Sequence, residues 1–236
     1  MNPATTNSTQ FAQIAQARAK TYSTLATVFS QKPDRTLVSN LITTGPAFFA
    51  ELVREMGSNR DAQKGVSEIS QFVAEVKNSP IEDTELALQV DWTRLFRGVQ
   101  PGYGPIPPYE GLYMNQGEND LETMQAVAAF YSTYGVLPNE AAGNRPDYIG
   151  LELDFLRCTC EEQVEAWEKG DHELSDKWYS AEQNFVLMHL GRWGAAYCDR
   201  AIEEARTDFY RGFASLTKGL LQELAENPRP LTVGTM

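Results

Sequence analysis

Along most of the chain the hydrophobic residues recur every third or fourth position, the spacing that gathers them on one face of an α-helix. Phe11, Ile14, Ala15, Arg18, Tyr22, Leu25 and Phe29 make one such series, with Ser8 or Thr9 in place as N-cap. Pro33-Asp34 opens a second helix carrying Leu37, Val38, Leu41 and Ile42. Gly45-Pro46 breaks it and starts a third with Phe49, Leu52, Val53 and Met56, closed by Gly57. A fourth carries Val66, Ile69, Phe72, Val73 and Val76 and ends at Pro80. Glu82 and Asp83 then put acid where a helix dipole favours it, at the start of a fifth helix that runs to about Phe96 and stops before Gly98.

The segment from Val99 to Tyr113, VQPGYGPIPPYEGLY, is dense in proline and glycine and cannot continue a helix. Helix returns near Asn119-Asp120 with Leu121, Met124, Ala128 and Tyr131, and ends at Gly135; a second loop spans Pro138 to Pro146. Two or three long helices follow. Leu156, Cys160, Val164 and Trp167 line one; Phe185 to Tyr197 is apolar enough for the centre of the core; Phe209, Phe213, Leu216, Leu220 and Leu224 line the last. No run has strand period and no repeat is visible. The pattern predicts an all-α, single-domain bundle of about eight to ten helices over residues 1–225. A long Pro/Gly-rich loop separates a front part, roughly 1–98, from a back part, roughly 114–225. The last residues, 226–236, read as an extended or disordered tail.

Composition narrows the function. The chain has 236 residues with 20 Lys and Arg against 32 Asp and Glu, a net charge of −12. Phosphate neutralisation needs a basic surplus, so nucleic acid is not an expected partner; a cationic partner is. No apolar run is long enough to span a bilayer, so no stable membrane insertion is expected. Three cysteines, Cys158, Cys160 and Cys198, give no disulfide framework. The start of the chain has no basic stretch leading into an apolar one, so it is not read as a secretory signal. Both features point to the cytoplasm.

Cofactor and metal motifs are missing. There is no GxxxxGK[ST], no HExxH and no CxxC, and Gly102 and Gly104 follow no strand. Two histidines, His172 and His189, cannot build an imidazole-rich metal site. Cys158 and Cys160 point about 200° apart on a helix and cannot share one ion. His189 lies in the most apolar helix and reads as a hydrogen-bonded core residue, His172 as part of a surface turn. No catalytic set, metal or cofactor is expected.

Three segments stand out. In Asp91-Trp92-Thr93-Arg94-Leu95-Phe96-Arg97-Gly98, Trp92 with Leu95 or Phe96 can pack inward while Asp91 with Arg94 or Arg97 lies nearer the polar side. In Pro107-Pro108-Tyr109-Glu110-Gly111-Leu112-Tyr113, two prolines hold the chain extended ahead of an aromatic and a carboxylate; this is either a structural crossover or a binding loop. In the segment from Arg145 to Leu156, Asp147 follows a proline and precedes an apolar-periodic run, the place of an N-cap or first-turn acid. From 152 to 176 nine acidic residues stand against two basic ones, a solvated face or a cation-receiving surface.

DWTRLFRG, PPYEGLY and DYIGLELDF, in this order from Asp91 to Leu156, resemble the TorD/DmsD family of redox-enzyme maturation chaperones and its NarJ-type relatives. Two positions depart from that family's pattern: Gly111 stands for a serine and Tyr148 for a histidine. Tyrosine keeps a ring and a hydrogen-bonding tip but carries no positive charge near neutral pH. The resemblance implies an all-helical cytoplasmic chaperone, monomer or dimer. It would bind the twin-arginine leader or N-terminal region of an apo molybdoenzyme catalytic subunit and hold it for cofactor insertion before export. Such a leader presents two arginines and then an apolar stretch. Asp147, Glu110 and Glu152 are the candidate carboxylates for the guanidinium groups, and Trp92, Phe96, Tyr109, Tyr113 and Tyr148 the aromatic-apolar groove. Two other classes compete: a small helical hydrolase or nucleotide-handling enzyme pairing Glu110 with Asp147, and an accessory subunit of an oxidoreductase complex.

Overall fold

The three-to-four-residue pattern becomes helix over most of the residues that the computed structural model describes: 3–45, 48, 59–98, 103–114, 120–136 and 145–226. Ten helices and no strand occur among them. Helix α1 spans Pro3–Ser30, so it starts ahead of Ser8 and Thr9, which lie inside it rather than at its cap. Helix α2, Arg35–Thr43, is capped by Asp34, whose side chain accepts from the Leu37 N–H at 2.8 Å. Helix α3, Arg60–Val76, is capped in the same way by Asn59. Helix α4 is Ile81–Phe96 and helix α6 Asp120–Thr133. Between them Glu110–Tyr113 makes a single helical turn, α5, inside the segment expected to be irregular. Helices α7 (Ile149–Lys169), α8 (His172–Met188), α9 (Leu190–Glu204) and α10 (Asp208–Glu226) complete the chain. The helix expected from Phe49 to Gly57, the start of the first loop, most of the second and the tail beyond Glu226 lie outside the described residues.

The stretch from Phe185 to Tyr197 is two helices, not one. The chain breaks at His189 (φ −126°, ψ −100°), which ends α8 and starts α9. Four long helices therefore follow residue 148 where two or three were expected. Phe185, Val186, Leu190, Trp193 and Tyr197 are buried on either side of the break, while Leu187 and Met188 turn outward.

The front and back parts interleave. Helix α1 lies along α7 and α3 along α10, with α8 and α9 packed beside them. Tyr22, Leu25 and Phe29 of α1 and Leu95 and Phe96 of α4 enter one core with Phe155, Phe185, Trp193, Tyr197 and Phe213. The α3–α10 contact is backbone on backbone: a Cβ at Gly65 would sit 2.4 Å from the Gly212 carbonyl, and one at Gly212 2.6 Å from the Gly65 carbonyl.

Candidate functional site

The three sequence segments meet where the proline-rich loop reaches the start of α7. Helix α4 ends through Gly98, whose φ of +55° suits glycine and whose missing side chain leaves room for Pro107. Beyond that contact the loop pairs with the third segment. Tyr109 and Tyr148 form an isolated antiparallel bridge. The Glu110 N–H donates to the Asp147 carbonyl at 2.9 Å, and the Ile149 N–H to the Pro108 carbonyl at 3.0 Å.

Most of the expected site residues turn inward. Trp92, Phe96, Glu110, Asp147, Tyr148 and Glu152 are buried; Tyr109 and Tyr113 are half-buried. Phe96 packs edge-on against Phe29 and Tyr210, and Arg97 lies 4.5 Å above the Trp92 ring. Tyr148 donates its hydroxyl to the Phe29 carbonyl at 2.5 Å, tying α7 to α1. Tyr113 donates to the Ile106 carbonyl at 2.8 Å and lays its ring against Trp193 and Tyr197.

Asp147 caps a different helix from the one expected. The N-cap of α7 is Tyr148, without a side-chain bond. Asp147 Oδ2 instead accepts from the Gly111 N–H at 3.1 Å, in the first turn of α5. The neighbouring chain direction explains this, because the bridge brings α5 within reach of Asp147. Asp91 and Arg94 likewise belong to the interior rather than the polar side of α4. Asp91 Oδ2 accepts from the Arg206 and Thr207 N–H groups at 3.0 and 2.9 Å, pinning the approach to α10. Arg94 bonds to Asp91 at 3.3 Å and to Glu204 at 3.0 Å.

A buried polar cluster lies behind the loop. His189 Nδ1 is 3.1 Å from Glu110 Oε2 and 3.3 Å from Oε1, so the ring nitrogen donates to the carboxylate. Trp193 Nε1 donates to Glu152 Oε2 at 3.2 Å, while Oε1 has no hydrogen-bond partner among the described residues. Burial, then the nearby Glu110 charge, raises the Glu152 carboxyl well above its ordinary value of 4.5. An uncharged carboxyl at Glu152 beside Glu110 avoids burying two like charges, which is the physical sense of the upward shift. Glu110 and Asp147 each have internal partners and form no open acid–base pair of the kind a hydrolase would need.

In front of the loop lies a guanidinium that the sequence reading assigned no role. Arg145 is held by Asp147 and by Asp120, and its guanidinium carbon sits 5.0 Å from the centre of the Tyr109 ring. Asp120 approaches because residue 111 has no side chain: a Cβ there would lie 2.3 Å from Asp120 Oδ1 and 3.0 Å from its Cα. The signal available in sequence was slight, an arginine two residues before an aspartate across a proline.

His189 is the hydrogen-bonded core histidine expected, and His172 opens α8 at the surface. Cys160 and Cys198 are buried, Cys158 half-buried, and all three are free thiols. No cluster of three or more His, Cys, Asp or Glu suited to a metal occurs among the described residues, and none of their helices is long and apolar enough to cross a membrane.

The profile of the nitrate reductase delta subunit family matches residues 58–199, more than half the chain and all three segments. The chaperone protein TorD of Vibrio cholerae serotype O1 is 22% identical over 176 residues, which cover 75% of this chain and 75% of the relative. The chaperone protein TorD of Shewanella loihica is 26% identical over 216 residues, covering 86% of this chain and 89% of the relative.

Proposed function

Because the chain belongs to the nitrate reductase delta subunit family, the TorD- and NarJ-type maturation chaperones that its motifs resemble, we propose that it serves a molybdopterin-containing oxidoreductase. As a member of a chaperone family it is a binding protein and not an enzyme. In this reading it acts in the cytoplasm. It binds the twin-arginine leader or N-terminal region of the apo catalytic subunit and holds that subunit for cofactor insertion before export.

The observation that supports leader binding is the junction of the loop with α7. There a fully buried carboxylate, Asp147, faces a guanidinium under a tyrosine ring. Carboxylate fork and aromatic face are the two groups an arginine-bearing peptide requires. The eight candidate residues then divide the work. Tyr109 and Tyr113, half-buried, offer ring surface to the peptide. Asp147 supplies charge. Trp92, Phe96, Tyr148, Glu110 and Glu152 hold the loop and α7 in register behind them.

The test is capture of partners on the purified chain from native cytosol, followed by mass-spectrometric identification. Recovery of a molybdoenzyme catalytic subunit, lost when its leader is deleted, is the expected result. Recovery that ignores the leader moves the contact to the mature subunit. Recovery of no such subunit, from cells that make the enzyme, overturns the proposal.

A further inference from the structure

Resting on the leader-binding reading, we propose that Asp120, Asp147 and Tyr109 form a receptor for a client arginine, and that Arg145 occupies this receptor in the free chaperone and leaves it by exchange. The ligand class is read from the group already bound. Arg145 Nε donates to Asp147 Oδ1 at 3.0 Å and Nη2 to Asp147 Oδ2 at 2.7 Å. The outer edge of the same plane donates to Asp120, Nη1 to Oδ2 at 2.6 Å and Nη2 to Oδ1 at 2.5 Å. Two parallel forks on one planar cation, with a ring at 5.0 Å, suit a guanidinium and not an ammonium.

The walls supplied by Asp147 and Tyr109 are held without Arg145. Asp147 is fully buried and anchored by the Gly111 N–H. Tyr109 is fixed by its bridge to Tyr148. Asp120 opens α6 and abuts Gly111, where any side chain would push Asp120 away. By contrast the Arg145 side chain is 33% exposed, so its guanidinium can pass to water without crossing the core. Two carboxylates face one cation, leaving a net negative charge to draw in a second. An arginine of the client replaces Arg145 bond for bond. The resident group therefore acts as a tethered competitor that weakens arginine binding until the rest of the leader engages.

The experiment compares the full chain with Arg145→Ala. A synthetic peptide carrying two adjacent arginines and then an apolar stretch is titrated by calorimetry, beside the same peptide with both arginines changed to lysine. Melting temperatures are taken in low-millimolar methylguanidinium and in methylammonium. The expected result is about tenfold tighter binding of the arginine peptide to Arg145→Ala than to the parent chain, with no gain for the lysine peptide. Methylguanidinium, and not methylammonium, should raise the melting temperature of the variant alone. Arg145→Gln replaces Arg145→Ala if the latter does not fold. Arginine-peptide affinity that is unchanged or weaker in the variant overturns the exchange and leaves the leader reading in place. No peptide binding to any form, with the methylguanidinium effect intact, overturns the leader reading and the exchange with it. Absence of a guanidinium-specific stabilisation overturns the receptor itself.

Discussion

Glu152 shows how one buried proton couples the candidate site to stability. Its carboxyl is raised well above the ordinary value of 4.5 by burial and by Glu110, so the folded state holds the proton more tightly than the unfolded chain does. That contribution is fully present below the unfolded value and is lost as pH rises through the folded one. Glu152→Gln keeps an acceptor for Trp193 Nε1 and carries no charge at any pH. It is expected to flatten the alkaline side of the stability profile and to exceed the parent chain above neutral pH, measured by urea unfolding across pH. Glu152→Ala strands the indole N–H and is expected to cost about 1–3 kcal/mol at all pH values. Asp147 behaves differently, because its charge is in use. Asp147→Ala leaves the Gly111 N–H and half of the Arg145 fork unanswered, and is expected to lower stability by about 1–3 kcal/mol as well as leader affinity. Asp147→Asn keeps an acceptor for Gly111 and weakens the guanidinium contact. It should recover most of the stability and little of the affinity, read by denaturation and calorimetry on the same samples.

At the scale of elements, the position of α6 against α5 depends on Gly111. In Gly111→Ser the new Cβ meets not only the Asp120 carboxylate but its backbone, 2.9 Å from the carbonyl oxygen and 3.0 Å from Cα, so α6 must shift at its first turn. The expected cost is about 1–3 kcal/mol in urea unfolding, with loss of the Arg145–Asp120 contact. The helices themselves were largely legible from periodicity, since α2, α3, α4 and α10 carry clear apolar faces and strong boundary residues such as Asp34 and Pro80. What periodicity cannot show is a break inside an apolar run. His189 interrupts the run from Phe185 to Tyr197 two residues before Gly191, where a Cβ would sit 2.5 Å from the Val186 carbonyl, and the partner of its ring, Glu110, lies far away in sequence. The same limit applies to the site. Motif order brought the right segments into view, yet whether Asp91, Glu110 or Glu152 faces water or the core depends on pairings over long sequence separations. Asp120 escaped notice for that reason, being an ordinary first-turn acid until Arg145 is seen beside it.

The whole molecule behaves as one body because α1 lies along α7 and α3 along α10, so neither half keeps a closed core without the other. Thermal unfolding followed by near- and far-ultraviolet circular dichroism is therefore expected to show one coincident transition; two separate transitions would contradict the interleaved packing. A second property of the whole is its charge. The chain carries −12, whereas a twin-arginine leader is cationic, so under the proposed function long-range attraction would act on the encounter before any of the loop's short-range contacts form. Salt screens that attraction over about 10 Å at moderate ionic strength but reaches the partly buried pairs around Asp147 much less. The two rate constants should consequently respond unequally. In stopped-flow measurements with a fluorescent leader peptide, raising the salt from low to physiological levels is expected to slow association about tenfold while dissociation changes little. If dissociation instead accelerates and association holds steady, the recognition energy lies in exposed ion pairs rather than in the buried fork, and the field of the whole protein has no part in bringing the leader to its site.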